Sequence, residues 1–284
     1  MTVEEAALVE RIPDRAHVVT RSEARSRWVQ EVLALVRRWW IELLRERLNL
    51  VFSVAQPAIW LVFFGAGVER AIDTRVIGTD DYISFMLAGI IAFTIVGNGV
   101  SGAMPLLWDK ETGYLDRLMS MPIARSSVIV SRFVFQVAQQ SIQIMLVVVV
   151  ALVLGVRIQS GPLGLVVILL AASLLTMSVT SAFSALAYAV PQHGTFFAVV
   201  GFISLPLLFM SNAFVPLEAM PGWMRIVARI NPLTYAIEAM RILVIEGWSG
   251  RVWSSLGVLA IAAAVCLAVG TREFRRQTGD RVRG

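Results

Sequence analysis

The sequence predicts an all-α polytopic membrane protein, and three observations carry that expectation. Of its 284 residues, 57% are hydrophobic and only 16% charged, with a mean hydropathy of +0.72; a soluble domain of that size needs more polar surface. Six apolar runs, at residues 48–68, 82–106, 133–154, 163–188, 196–216 and 252–269, each approach the ~20 residues that carry a helix across a bilayer. No strand-like alternation competes with them.

Residues 1–27 are polar and of mixed charge, without the apolar core of a signal peptide, and read as a cytoplasmic tail. Residues 28–47 put Val29, Val32, Leu33, Val36, Trp40, Leu43 and Leu44 on one helical face, with Arg37, Arg38, Glu42, Arg45 and Glu46 on the other. Tryptophan with arginine suits the headgroup layer, which predicts an in-plane connecting helix; a soluble helix packed on another protein fits the same pattern. In the second run, Gly89, Gly97 and Gly102 suit close helix approach.

A short, charged, helix-compatible segment, WDKETGYLDRLMSMP (108–122), follows the second run. It reads either as a solvated connector or as a helix that fits a groove on a soluble motor. Ser126 or Ser127 is expected to cap the helix after it. That third helix carries Gln136, Gln139, Gln140 and Gln143 at i, i+3, i+4 and i+7, and the fourth carries Ser173, Thr176, Thr180 and Ser184. Polar side chains at such depth face other helices or a watered path, and both readings stand on spacing alone.

Between the fifth and sixth runs lies NAFVPLEAMPGWMRIVARINPLTYAIEAMR (212–241), two short helix patterns that cannot cross a bilayer. The first sets Trp223, Ile226, Val227 and Ile230 on one face. The second opens with Asn231 as N-cap and Pro232 at the first helical position. Its apolar face is Leu233, Ile237, Met240 and Val244, while Glu238 and Arg241 are spaced to pair. An apolar face without spanning length is expected to rest on the spans at the outer leaflet.

Arginine and lysine set the orientation. With both termini inside, the cytoplasmic flanks hold thirteen of them and the external side seven, as the positive-inside rule requires. Clustering beside apolar runs, rather than along a polar face, also argues against nucleic-acid binding. Lys110 is the single lysine and follows Asp109, so no Walker A phosphate loop can be formed. Cys266 is alone, and neither His17 nor His193 has a neighbouring cysteine or carboxylate at metal-ligand spacing. No run carries a central ionisable residue, which argues against a proton relay. A membrane-embedded lipid-modifying enzyme would need a His, Asp or Glu cluster at one face, and a non-transporting assembly subunit would have no coupled ATPase.

In order and spacing these elements resemble the membrane subunit of type 2 ABC exporters, typified by daunorubicin-resistance permeases. One motif is Glu111, Gly113, Asp116, Arg117, Leu118 and Pro122; the other is Pro216, Met220, Pro221, Trp223, Asn231, Pro232, Tyr235, Glu238 and Arg241. The resemblance implies a six-span permease domain over 48–271, with a coupling loop at 108–132 that docks on an ATPase. It also implies an external hairpin at 213–251, a basic cytoplasmic tail at 272–284, and a plasma-membrane location. It further implies a second permease subunit, two ATPase subunits that bind ATP and Mg, no cofactor on this chain, and an amphipathic drug, lipid or glycolipid-like cargo drawn from the membrane.

Overall fold

The computed structural model describes residues 21–45, 47–68, 82–113, 117, 124–190 and 192–280. The regular elements among the described residues are all helices: α1 (Arg21–Arg45), α2 (Arg47–Val68), α3 (Tyr82–Glu111), α4 (Arg125–Val153), α5 (Gly161–Ala189), α6 (His193–Phe209), α7 (Gly222–Ile230), α8 (Pro232–Ile245) and α9 (Gly250–Asp280), with a 3₁₀ turn at Leu217–Ala219. Four segments are long and apolar enough to cross a membrane: Tyr82–Asp109, Ser126–Val153, Gly161–Ala189 and Gly250–Glu273. Val51–Phe63 within α2 and His193–Phe209 are shorter apolar helices.

Helix α5 is the hub. Helices α9 and α3 lie along it, and α8 and α4 pack on it as well. Small residues make that possible, because Ala171, Ala172, Ser178, Ser181 and Ala187 are all buried on α5 and let neighbouring backbones come close. Around this core, large apolar side chains stay exposed, among them Phe52, Phe63, Phe202, Leu205 and Ile261. A soluble protein does not present that surface, whereas lipid tails solvate it.

Several boundaries differ from those expected. Helix α1 begins at Arg21 rather than at residue 28, and α9 runs on to Asp280, so most of the expected basic tail is helix. Helix α6 stops at Phe209, short of residue 216, and residues 210–214 turn back toward the hairpin. Neither Ser126 nor Ser127 caps α4: the N-cap is Ala124, with no side-chain cap of its own. The capping acceptor comes from α1 instead. Glu31 Oε2 accepts from the Ala124 N–H at 3.1 Å and from the Ser127 hydroxyl at 2.8 Å, and a carboxylate at a helix N-terminus also favours the dipole. Trp28 Nε1 donates to Ser126 Oγ at 3.1 Å beside it. Trp40 packs edge-on against Phe135, so α1 is fastened along the start of α4.

The second short helix of the hairpin buries its expected apolar face, Leu233, Ile237, Met240 and Val244. Leu233, Ala236, Ile237, Ala239, Met240 and Leu243 are fully buried, because α8 inserts among α3, α5 and α9. Its terminal carbonyls are satisfied by the loop before α5: Gln159 N–H donates to Val244 O at 3.1 Å and Ser160 N–H to Leu243 O at 3.2 Å. Gly247, at φ +90°, takes the left-handed position that ends the helix, with its N–H on Ile242 O at 2.8 Å.

Of the glycines expected at close contacts, Gly89 and Gly102 are confirmed and Gly97 is not. A Cβ on Gly89 would sit 2.5 Å from the Ala213 carbonyl oxygen, and one on Gly102 would sit 2.8 Å from Gln136 Oε1, whereas Gly97 has nothing within 4 Å. Gly99 does what Gly97 was expected to do, against Val179 at 2.5 Å. Gly89→Ala should therefore lower the melting temperature by several degrees, since backbone cannot give way, while Gly97→Ala should leave it unchanged or raise it by removing up to ~1 kcal/mol of helix cost. Thermal unfolding read by labelling of Cys266 separates the two; equal melting of both variants would contradict the contact.

Candidate functional site

Three polar assemblies punctuate the apolar bundle, one at each end and one in the middle. At the end of α3, Glu111 pairs with His193 Nδ1 at the start of α6, and the Trp108 ring lies 5.1 Å from the His193 ring. The sequence gives no sign of this pair, because its members lie 82 residues apart. Glu111, the last residue of α3, is thus tied to α6, and Ala124, just before α4, to Glu31 of α1. Within it, Gly113 is exposed at φ +69°, and exposed Arg117 donates its N–H to Gly113 O at 3.2 Å. Asp116, Leu118 and Pro122 lie outside the described residues.

In the middle of the bundle, the glutamine stripe of α4 faces α3. Gln136, Gln140 and Gln143 are buried. Asn98 Nδ2 donates to Gln140 Oε1 at 2.8 Å and also to Gln143 Oε1, and Gln136 Nε2 donates to Asn98 O at 3.4 Å. Asn98 is the organising residue and the sequence reading passes over it; one asparagine in a long apolar run, opposite a polar stripe on its neighbour, is the signal that could have found it. Through Gln136, Gln140 and Gln143 the stripe packs α4 against α3. Gln139 and Gln136 also line a cavity beside the stripe. On α5, Thr176 Oγ1 donates to the Ala172 carbonyl at 2.8 Å, and buried Thr180 has no hydrogen-bond partner among the described residues.

At the other end, hairpin side chains supply donors to carbonyls that the short helices leave open. Asn231 Oδ1 accepts from Leu233 N–H at 3.0 Å, the expected cap. Its Nδ2 also donates to Leu207 O at 2.6 Å and Met210 O at 3.0 Å, which closes the last turn of α6. Arg225 donates to Leu217 O and Glu218 O, both at 2.9 Å, and to Met220 O at 3.1 Å. Tyr235 Oη donates to Arg229 O at 2.7 Å, tying α8 to α7.

The expected Glu238–Arg241 ion pair does not form. Glu238 accepts from Ser255 Oγ at 3.1 Å, while Arg241 turns inward and donates to Phe85 O at 3.3 Å, Asn212 O at 2.8 Å and Ala213 O at 3.3 Å. Its guanidinium stands 3.7 Å over the Phe85 ring. Burial lowers the Arg241 pKa from its ordinary value, opposed by the charges of Glu238 and Glu218 and by Tyr82; with three carbonyls and a ring face as partners, the guanidinium stays protonated. Arginine wins over the i, i+3 pair because its fork reaches several carbonyls at once. On α7 the apolar stripe is outermost: Trp223 is 62% exposed and Ile230 78%.

No group of three or more metal-ligating side chains exists among the described residues. These contacts predict two effects. Asn231→Ser should keep the cap yet lose the donors to Leu207 and Met210, at about 1–3 kcal/mol, with faster hydrogen exchange at 207–213. Arg241→Met should leave carbonyls of both α3 and the hairpin unpaired, freeing residues 212–216 to exchange; wild-type protection in both variants would show that the carbonyls find other donors.

The ABC-2 type transporter family model matches residues 30–245. Relatives include the transport permease ycf38 of Porphyra purpurea, 36% identical over 215 residues, covering 75% of this chain and 73% of the relative. The ycf38 permease of Cyanophora paradoxa is 34% identical over 218 residues, covering 76% and 74%. The daunorubicin resistance ABC transporter permease protein DrrB1 of Streptomyces coeruleorubidus is 29% identical over 217 residues, covering 76% and 75%. Association with an ABC ATPase subunit is what such a family implies. With apolar helices of spanning length and matches along three quarters of its length, this chain belongs to the ABC-2 type transporter family and is a multi-pass integral membrane permease.

Proposed function

We propose that this chain is the six-span subunit through which a separate ATPase drives export of an amphipathic drug, lipid or glycolipid-like molecule. Two copies of the permease, or this chain with a homologue, stand with two ATPase subunits that bind ATP and Mg. The arginine asymmetry supports a plasma-membrane orientation with both termini and the 108–132 loop in the cytoplasm. Relatives named for resistance to daunorubicin and doxorubicin support a hydrophobic, weakly polar cargo. Catalysis resides in the partner, since this sequence cannot build a Walker A loop.

The observation that carries the reading is the double anchoring of the segment after α3. Glu111 meets His193 on α6, and Glu31 of α1 holds the first residues of α4. A push by an ATPase on Glu111, Gly113, Asp116, Arg117, Leu118 or Pro122 would then move α3, α4 and α6 together instead of bending a loose loop. The cargo path would run between the two permease copies, and the hairpin, with Trp223 seated at the outer interface, would cap it. Asn231, Pro232, Tyr235, Glu238 and Arg241 would hold that cap rather than grip cargo.

Arg117→Glu should lower transport and cargo-stimulated ATP hydrolysis together at unchanged expression, because reversing a charge at a packed interface costs several kcal/mol. His193→Ala, which cuts the α3–α6 tie but leaves the docking face intact, should preserve ATPase co-purification while reducing stimulation by cargo. The measurement uses permease and ATPase reconstituted together in nanodiscs. Wild-type transport by Arg117→Glu would make the segment a plain connector.

A further inference from the structure

Helix α3 opens outward where lipid has little to solvate. Between Tyr82 and Leu107 it exposes only Gly97 and Ser101, and no large apolar side chain. Beside it α4 exposes Val134, Ile142, Met145 and Val149, a surface that acyl chains solvate. A cavity of about 520 Å³ opens at Ser101, between α1, α3 and α4. On α3 its lining runs from Asp109 to Asn98, a rise of about 16 Å along the helix and so about half of a ~30 Å hydrocarbon core. The cavity is a groove that starts at the end of the span and reaches its middle.

Neutral acceptors in this groove outnumber their donors. Pro105 lines it and has no N–H, so the Ser101 carbonyl one turn back loses its helical donor. Arg132 serves the adjacent Gly102 carbonyl, not that of Ser101. Gln136 spends its Nε2 on Asn98 O at 3.4 Å, and Gln139 on the same wall makes no hydrogen bond with a described residue. An acceptor left open at mid-span needs a donor brought by an occupant, and an acyl chain brings none. Water pairs such groups one at a time, each molecule immobilised separately. A ring that carries several hydroxyls presents donors and acceptors already fixed together. At the other end Trp108, 55% exposed, offers an indole for the C–H face of such a ring.

We propose that this groove binds the polyhydroxylated ring of an amphipathic glycoside and loads it into each permease subunit. The ring bonds to the Ser101 carbonyl, Gln136 and Gln139, and the apolar tail stays in the surrounding lipid. Arg38, Glu42 and Asp109, at the end away from Asn98, keep the mouth hydrated, so the ring enters without shedding all its water. Cargo then meets one subunit alone before it reaches the path between the two copies. The loading step rests on the exporter reading given above; the binding itself does not.

The test uses the full-length permease in nanodiscs without ATPase, offered equal amounts of glucosylceramide and ceramide with the same acyl chain. Native mass spectrometry should show glucosylceramide retained roughly tenfold over ceramide, one decade in affinity. A photoreactive group on its sugar should crosslink within residues 98–109 and 132–139. Gln139→Leu takes an amide from the wall, and Pro105→Ala returns an N–H to the Ser101 carbonyl. Each should cut the preference about three- to tenfold, the weight of one hydrogen bond. Pro105→Ala favours the helix, so its loss of binding is not loss of folding; Gln139→Leu covers the case in which α3 straightens. Equal retention of both lipids by wild type, crosslinks confined to other residues, or an unchanged preference in both variants overturns the site. With ATPase added, glucosylceramide should stimulate hydrolysis through wild type, and full stimulation through a variant that no longer holds the sugar would overturn the loading step. No stimulation by any amphiphile, with the sugar still crosslinked in the groove, would refute the exporter reading and leave the site standing, so the two ideas fail separately.

Discussion

In hydrocarbon no water stands ready to pair an open carbonyl, and every backbone acceptor must find its donor inside the protein. Long helices meet that demand by themselves except at their ends. A helical hairpin that enters the bundle and turns back has many ends close together. The segment between α6 and α9 solves this with side chains: Asn231 closes α6, Arg225 closes the 3₁₀ turn, and Arg241 closes the approach to α7 while holding Phe85 of α3. Without those donors α8 could not lie buried among α3, α5 and α9.

The same requirement explains the use of charge. Two of the arginines that weigh against the positive-inside count, Arg225 and Arg241, are consumed as carbonyl donors. Charge of this kind reports on a local backbone problem more than on the side of the membrane. Around α1, Arg38, Arg132, Glu42 and Asp109 gather at one cavity wall, and Arg132 there also donates to the Gly102 carbonyl.

Asn98 with Gln140 and Gln143 joins α3 to α4 near the centre of both helices. Such contacts are worth about 0.6–2 kcal/mol each in a membrane, small beside the apolar packing of α5 but directional, which fixes the register in which α3 and α4 slide or tilt together. Glu111–His193 and Glu31–Ala124 then fix their ends.

The sequence by itself determined the features that depend on composition and local spacing. Length and hydropathy place the apolar helices, and Asn231 before Pro232 marks the start of α8, because each follows from neighbours along the chain. Tertiary structure decided whatever depends on residues far apart. It replaced the Ser126 or Ser127 cap with Glu31, moved the close contact from Gly97 to Gly99, and turned Arg241 from Glu238 toward carbonyls of α3. It also gave the glutamine stripe its partner in Asn98 and set α8 among α3, α5 and α9. A local pattern states which groups want partners; which distant group arrives depends on how the helices pack around α5, and no window of sequence contains that packing.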